Sequence, residues 1–206
     1  MNGEQSDLSA GLDQLRSYWE GRARSRLSDL EKLEWSHQRT QRMRFEAFLQ
    51  EHDLEGKSVL DIGCGLGDFY AHLRQRGIHA HYTGIDISPS MVSQCRRRYG
   101  DARFESGNIL EYAPNSRFDY TVAFGIHNIR VAGGRAILDQ VTDHQFRLAS
   151  IAAHVSLINI AVPTVHVRDT GALVRKRRSA FKVVARASSW TLIPLISATR
   201  AAVSSR

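Results

Sequence analysis

The sequence of 206 residues is poor in cysteine and proline, with two and four of them respectively. Cys64 and Cys95 are too few for a disulfide framework and lack the spacing of a metal site, so we expect neither a disulfide-stabilised fold nor a bound metal. No stretch approaches the roughly 18 consecutive apolar residues of a membrane span. The chain starts with polar and acidic residues, which a signal peptide does not. These absences favour a cytoplasmic protein without a membrane partner.

The charge of the chain is unevenly distributed. Apolar residues make up 42% and charged residues 24%, which is ordinary for one globular domain. The formal net charge is +7, but nine of the 28 Lys and Arg residues lie in 161–206 beside a single acid, Asp169. The preceding residues are close to neutral as a whole. Overall basicity therefore does not indicate a nucleic-acid-binding core.

Three segments differ in pattern. Residues 1–55 carry apolar side chains at helical spacing, among them Leu12, Leu15 and Trp19, and predict two or three lead-in helices. Residues 56–162 alternate short strands with helices, which is typical of an α/β fold with a doubly wound, mostly parallel sheet. We expect strands at 58–62, 82–86, 102–106, 118–124 and 154–162, and helices at 69–76, 89–99 and 135–150. Residues 163–206 form a basic C-terminal segment of less regular pattern.

The first predicted strand turns over three alternate glycines, Gly63, Gly65 and Gly67. Glycine permits a positive φ and lets a ligand approach the backbone closely. In open α/β sheets, ligands bind outside the carboxyl ends of the strands. The G-x-G-x-G spacing differs from the G-x-G-x-x-G of dinucleotide sites, and Asp61 before it would repel a pyrophosphate but suit a cation. The loop therefore favours S-adenosylmethionine, which carries a sulfonium and an ammonium, over NAD.

Two further polar residues follow predicted strands. Asp86 ends the second strand, where a carboxylate can accept hydrogen bonds from both ribose hydroxyls. An N-cap role for Asp86 is the alternative, although Ser88 before Pro89 could serve that purpose. Asn108 follows the third strand and offers an amide for an adenine edge. A plain turn residue after Gly107 is the alternative there.

Four motifs in order carry a family resemblance. D-I-G-C-G-L-G-D at 61–68 resembles motif I of the class I (Rossmann-like) S-adenosylmethionine-dependent methyltransferases, and G-I-D-I-S at 84–88 is similar to their ribose-binding motif. G-N-I-L at 107–110 resembles the adenine-binding turn, which usually reads G-D, and F-D-Y-T-V-A at 118–123 the fourth-strand motif. The resemblance covers about residues 30–160. It implies a methyltransferase with sheet order 3-2-1-4-5 and an antiparallel hairpin of strands six and seven at the far edge.

The resemblance implies a set of residues that bind S-adenosylmethionine. Arg44 belongs to the set because it shares a predicted helix face with Gln41, and a guanidinium that reaches the glycine loop can pair with the methionine carboxylate. A solvated basic helix face is the alternative for Arg44. The predicted cofactor-binding residues are Asp61, Gly63, Cys64, Gly65, Gly67, Asp86, Ile87, Asn108, Ile109, Phe124 and Arg44.

The methyl acceptor is not identified by any motif. Methyl transfer from a sulfonium needs mainly alignment of the acceptor and exclusion of water, so residue-specific catalysis is small. The chain lacks the D/N/S-P-P-aromatic motif after strand four, which disfavours a nucleobase or amide and favours a small-molecule acceptor. His127 is the one catalytic candidate, as a base for an acceptor hydroxyl, and a polar loop or packing histidine is the alternative. Tyr18 and Trp19 are candidates for the acceptor pocket or for the core.

The C-terminal segment fits the family pattern least. It can hold divergent sixth and seventh strands, 181–186 and 190–196, with a turn at 187–189, although Pro194 would need an edge or a bulge. It can instead be an anion-binding tail built on the basic run 175–178. A shift of reading frame near residue 160 is the third explanation. An RNA-directed methyltransferase and a cofactor-binding pseudoenzyme are accordingly the alternatives to a small-molecule methyltransferase.

Overall fold

The computed structural model describes residues 3–126, 129–156, 181–186 and 195–200, with side chains for 5–126 and 129–156. Its helices are α1 (Gly3–Arg24), α2 (Asp29–Lys32), α3 (Gln38–Leu49), α4 (Asp68–Gln75), α5 (Pro89–Arg98) and α6 (Gly134–Leu148). Its strands are β1 (Ser58–Ile62), β2 (His81–Asp86), β3 (Arg103–Ser106), β4 (Phe118–Phe124), β5 (Ala149–Ser156), β6 (Phe181–Arg186) and β7 (Leu195–Arg200). A single 3₁₀ turn covers Ile109–Glu111 within these ranges.

The strands form one sheet in the order β3-β2-β1-β4-β5-β7-β6. Neighbours among the first five strands pair in parallel. Strand β7 pairs antiparallel with both β5 and β6. This is the predicted order 3-2-1-4-5 with an antiparallel hairpin at the far edge, so the α/β fold class is confirmed.

Local sequence explains where several helices begin and end. Ser88 caps α5, since its side chain accepts a hydrogen bond from the Met91 amide, and Pro89 occupies the first helical position. Helix α4 starts after Gly67 and is followed by Gly77, both at positive φ. Helix α2 has a capping box between Ser28 and Glu31. The turns that hold the carboxyl ends of the first strands are therefore set by short-range chemistry.

Two apolar cores cover the two faces of the sheet. One is rich in rings and includes Phe45 and Phe48 of α3 together with Phe69 of α4. The other joins Ile137 and Val141 of α6 to the opposite face, with leucines of α1 packed against it. Within the described ranges, none of the helices has the combination of length and apolar character that a membrane span requires.

Strand β5 departs from the predicted pattern. The helical prediction over 135–150 runs past the observed end of α6 at Leu148, and β5 begins at Ala149 instead of His154. The stretch 149–153 is rich in alanine, which suits a helix as well as a strand. Pairing with β4 makes this stretch a strand, because Ala149 and Ala152 lie opposite Phe118 and Tyr120. The predicted end of this strand, 157–162, lies outside the described residues.

The C-terminal strands agree with the first of the three explanations for this segment. Strand β6 covers the predicted 181–186, and β7 includes Leu195 and Ile196 of the predicted strand 190–196 and continues to Arg200. The remainder of that prediction, with its turn at 187–189, lies outside the described residues. Strand β7 lies between β5 and β6, so both of its edges take part in ladders. A proline inside such an inner strand would remove one hydrogen bond, and Leu195–Arg200 contains none. The basic run 175–178 lies outside the described residues.

Candidate cofactor site

A cleft of about 1050 Å³, counted with its open mouth, lies at the carboxyl ends of β1, β2 and β4. Its floor is formed by the glycine loop after β1 and by the turns after β2 and β3. Its roof comes from the N-terminal helices, with Leu12, Leu15 and Trp19 of α1 and Gln41 and Phe45 of α3.

The three loop glycines have positive φ, but they serve different purposes. A Cβ on Gly63 would collide with Ile126, and a Cβ on Gly65 would lie 2.7 Å from Leu33 Cδ2, so both positions need glycine where the loop borders the cleft. Gly67 does not line the cleft. A Cβ there would lie 2.8 Å from the ring of Tyr99, so this glycine serves the packing of α4 and α5.

Asp61 is buried at the end of β1, and its carboxylate lines the cleft. The Tyr82 hydroxyl donates a hydrogen bond to Asp61 Oδ2 over 2.6 Å. Burial raises the pKa of Asp61 to about 7, against the hydrogen bond from Tyr82, and the nearby Asp86 and Asp68 carboxylates raise it further. Asp61 therefore titrates near neutral pH in the absence of a cation.

Asp86 is buried at the end of β2 and organises both turns that border the cleft. Its Oδ2 accepts a hydrogen bond from the Gly65 amide, and its Oδ1 accepts one from the Ser88 amide, each over 2.9 Å. Ser88 is the N-cap of α5, so the alternative that Asp86 caps this helix is wrong. A carboxylate has about four acceptor positions, so Asp86 keeps capacity for ribose hydroxyls. Burial raises the pKa of this carboxyl.

Asn108 lines the cleft but is already engaged in a turn. Its Oδ1 accepts a hydrogen bond from the Leu110 amide, and its Nδ2 donates one to Glu111. The turn role is therefore present, and contact with an adenine edge stays a prediction. The remaining predicted residues on the cleft wall are Cys64, Ile87, Ile109 and Phe124.

The two cysteines are free thiols buried beside each other below the glycine loop. A hydrogen bond with Cys95, burial and nearby carboxylates raise the pKa of Cys64 well above its usual value. Cys95 Sγ donates to the Gly65 carbonyl oxygen over 3.2 Å. Because a protonated, buried thiol is a poor nucleophile, Cys64 contributes packing rather than reactivity.

Gln41 and Asp68 form a pair on the cleft wall that the sequence pattern did not reveal. Gln41 Nε2 donates to Asp68 Oδ2 over 2.7 Å, which links α3 to the first turn of α4. Burial raises the pKa of Asp68, partly opposed by this hydrogen bond. The acid that follows the third loop glycine is the only sequence signal that could have found it.

Arg44 shares a face of α3 with Gln41, as predicted, but it does not line the cleft. Its guanidinium lies over the ring of Trp35, with 4.8 Å from Cζ to the ring centroid, and Nη1 donates to Ser156 Oγ over 3.1 Å. Only 4% of Arg44 is exposed, so the alternative of a solvated basic face is wrong. Burial lowers the pKa of Arg44 to about 10, which leaves it a cation at neutral pH. Its pairing with a methionine carboxylate stays a prediction.

The candidates for the acceptor pocket and for catalysis, Trp19, Tyr18 and His127, have different outcomes. Trp19 lies on the cleft wall. Tyr18 is exposed and its hydroxyl donates to Glu34, so it belongs neither to the cleft nor to the core. His127 lies outside the described residues, and its role as a base stays a prediction.

The described wall of the cleft has one sign of charge. Asp61, Asp68 and Asp86 line it, and no Lys, Arg or His from the described ranges does. Such a wall repels phosphate groups and attracts cations. Among the described residues, there is also no cluster of three side chains that could hold a metal ion. Glycine loop, acidic wall and sheet topology together define the donor site of a class I methyltransferase.

Comparison with known proteins agrees with this geometry. A family model described as a methyltransferase domain matches residues 59–145. A Mycobacterium tuberculosis protein named as a methyltransferase is 39% identical over 74 residues, which are 36% of this chain and 44% of the relative. The trans-aconitate 2-methyltransferase of Afipia carboxidovorans is 31% identical over 147 residues, which are 70% of this chain and 53% of the relative. The chain thus spans about half the length of these curated relatives.

Solved structures share the fold. The magnesium protoporphyrin IX methyltransferase of Synechocystis, solved with bound S-adenosylmethionine, superposes with a TM-score of 0.64 at 17% identity, covering 98% of this chain and 100% of that one. The N-methyltransferase NodS of Bradyrhizobium japonicum, in complex with S-adenosylhomocysteine, gives a TM-score of 0.66 at 14% identity, covering 90% and 98%. Residues 59–145 thus match a methyltransferase domain, and the fold of the chain is that of the class I S-adenosylmethionine-dependent methyltransferases.

Proposed function

We propose that the protein binds S-adenosylmethionine in this cleft and transfers its methyl group to a small-molecule acceptor. The observation that carries the proposal is the cleft wall, where a glycine loop meets three carboxylates without a basic side chain from the described residues. S-adenosylmethionine brings a sulfonium and an ammonium to this wall, and no phosphate. A dinucleotide would bring a pyrophosphate into contact with Asp61 and Asp86.

The assigned residues fit this cofactor. Asp86 holds the two turns together and keeps acceptor capacity for the ribose hydroxyls. Asn108 and Ile109 border the part of the cleft where we place the adenine, and Asp61 contributes negative charge beside the glycine loop. We assign residues 56–162 to the cofactor core, 1–55 to a helical cap and 163–206 to a basic C-terminal segment, whose strands β6 and β7 extend the same sheet.

The bound cofactor would supply an electrophilic methyl group on a sulfonium. The described residues do the rest by orientation and by exclusion of water, because Leu12, Leu15 and Trp19 cover the cleft with apolar surface. The relatives named for trans-aconitate support a small-molecule acceptor. The two free, buried thiols are compatible with a reducing cytoplasm, which we propose as the location of the protein.

Calorimetry on the full chain tests the donor site. S-adenosylmethionine and S-adenosylhomocysteine should both bind, while NAD and ATP, which carry phosphates, should not. Absence of binding by both methionine-derived ligands would overturn the proposal.

A transfer assay with cofactor labelled on the methyl group tests the acceptor class. The labelled cofactor is mixed with a small-molecule extract or with total RNA, and we expect label in the small-molecule fraction. Label in RNA would support the alternative that uses the basic run 175–178. Cofactor binding without transfer to either would support the pseudoenzyme.

A further inference from the structure

Helix α1 lies over the cleft and is attached to the rest of the protein in its middle and near its C-terminal end. In its middle, the side chain of Gln14 accepts a hydrogen bond from the Ala132 amide over 3.2 Å, and Gly11 packs so closely on Ala132 that a Cβ would collide with the carbonyl oxygen. Near its end, Glu20 contacts the first turn of α5. The side chains between these attachments include Leu12, Leu15 and Trp19, which line the cleft.

The attachment through Glu20 is strongly polar, and further hydrogen bonds join Arg22 to α2 and Ala23 to Gln94 of α5. The Glu20 carboxylate accepts hydrogen bonds from Ser88 Oγ over 2.6 Å, from Ser90 Oγ over 2.5 Å and from the Ser90 amide over 3.1 Å. Arg24 forms an ion pair with the same carboxylate at 2.7 Å. The N-terminus of α5 adds favourable dipole potential. Burial opposes ionisation, but these hydrogen bonds outweigh it and lower the pKa of Glu20 to about 2.

Ser88 contacts both Glu20 and Asp86. Ser88 donates its amide hydrogen to Asp86 Oδ1 and its hydroxyl hydrogen to Glu20. Asp86 Oδ2 in turn accepts from the Gly65 amide. A continuous chain of hydrogen bonds therefore runs from α1 through Ser88 and Asp86 to the glycine loop.

We propose that Glu20 is a positioning residue that couples closure of α1 over the cleft to binding of the cofactor at Asp86. The inference rests on the proposed function, since it takes the cleft to be the S-adenosylmethionine site. Because Leu12, Leu15 and Trp19 of α1 line the cleft, movement of α1 away from α5 would widen the path by which a ligand enters or departs. A ligand bound against Asp86 stabilises the turn at Ser88 and therefore the hydrogen bond between Ser88 and Glu20. By thermodynamic linkage, the closed position of α1 in turn stabilises the bound ligand.

The test compares Glu20→Gln with Asp13→Asn, which removes the same charge from an exposed position of the same helix. Trp19 and Trp35 lie on the cleft wall, so tryptophan fluorescence in a stopped-flow instrument reports release of S-adenosylmethionine. Loss of the charged acceptor should make release about tenfold faster in Glu20→Gln. Asp13→Asn should match the wild type. Ser90→Ala, which removes one hydrogen bond to Glu20 and leaves the Ser88 cap in place, should change release in the same direction by a smaller factor.

Hydrogen exchange of α1 supplies a readout that a merely structural contact would not move. In the wild type, S-adenosylmethionine should slow exchange of residues 3–24, and Glu20→Gln should lose most of this protection. Equal release rates and equal protection in Glu20→Gln and Asp13→Asn would overturn the role of Glu20. A wild-type protein that binds neither S-adenosylmethionine nor S-adenosylhomocysteine would instead overturn the proposed function. Faster exchange of α1 in ligand-free Glu20→Gln than in Asp13→Asn would still identify Glu20 as the attachment that holds α1 closed.

Discussion

The ionisation of Asp61 should control how tightly the protein binds a cationic cofactor. Burial raises the pKa of this carboxyl to about 7 in the protein without ligand. A cation in the cleft favours the ionised carboxylate, so binding of S-adenosylmethionine is coupled to loss of a proton. Since protonated Asp61 predominates below the raised pKa, affinity should fall as the pH falls through 7 and rise as it increases.

The magnitude follows from the raised pKa. If only ionised Asp61 supports binding, the dissociation constant is multiplied by one plus the ratio of protonated to ionised carboxyl. That factor is about 11 at pH 6 and about 1.1 at pH 8, so affinity should change by about tenfold over this range. The hydrogen bond from Tyr82 is already part of this pKa, which burial alone would raise further.

Calorimetry at pH 6, 7 and 8 measures this dependence in the wild type and in Asp61→Asn. The amide cannot titrate in this range, and the ratio of the two affinities cancels titration of the amino group of the cofactor. The ratio should favour the wild type by about ten times more at pH 8 than at pH 6. A constant ratio would refute the link between Asp61 ionisation and binding.

The stability of Asp61→Asn and four further substitutions test the site. As the pH rises from 5 to 8, the free energy of unfolding of Asp61→Asn should increase by about 2–3 kcal/mol relative to that of the wild type. The reason is that the folded wild type keeps a proton that the unfolded chain has lost, so the wild type is destabilised as the pH rises. Unfolding free energies from urea denaturation that follow the same pH dependence in both proteins would contradict this. Asp86→Ala should weaken cofactor binding by about 1–3 kcal/mol and Asp86→Asn by less, and unchanged affinity in a folded Asp86→Ala protein would remove the ribose assignment. Gly65→Val should abolish cofactor binding in calorimetry. The control is Gly77→Ala, at positive φ with open space around it, which should cost about 1 kcal/mol of stability and leave binding intact. Cofactor binding by Gly65→Val would contradict the close approach of the ligand to the loop.

Much of the fold follows from short-range pattern. Strands β1 and β4 have the predicted bounds, because each is a buried apolar run between turn residues. The start of β5 could not be predicted, since its alanines are compatible with a helix and only pairing with β4 selects a strand.

In the candidate site, too, local features could be predicted from the sequence and long-range contacts could not. The position of the glycine loop and of Asp86 followed from strand ends, which are local features. The burial of Arg44 depends on Ser156, 112 residues away, and no periodicity reveals such a contact. The same holds for Glu20 and Ser88, which are 68 residues apart. The sequence pattern predicted which polar residues lie along the carboxyl edge of the sheet, but packing decides which of them line the cleft.

The direct passage from α6 to β5 restricts how the chain can vary in length. Leu148 ends the helix and Ala149 begins the strand, with no residue between them. Successive side chains turn by about 100° in a helix and by about 180° in a strand. One inserted residue would therefore rotate the apolar face of α6 off the sheet or exchange the two faces of β5, and no loop exists at this junction to absorb it. Insertions and deletions among relatives should gather in 125–133, before α6, and an alignment gap at 148–149 would indicate an alignment error.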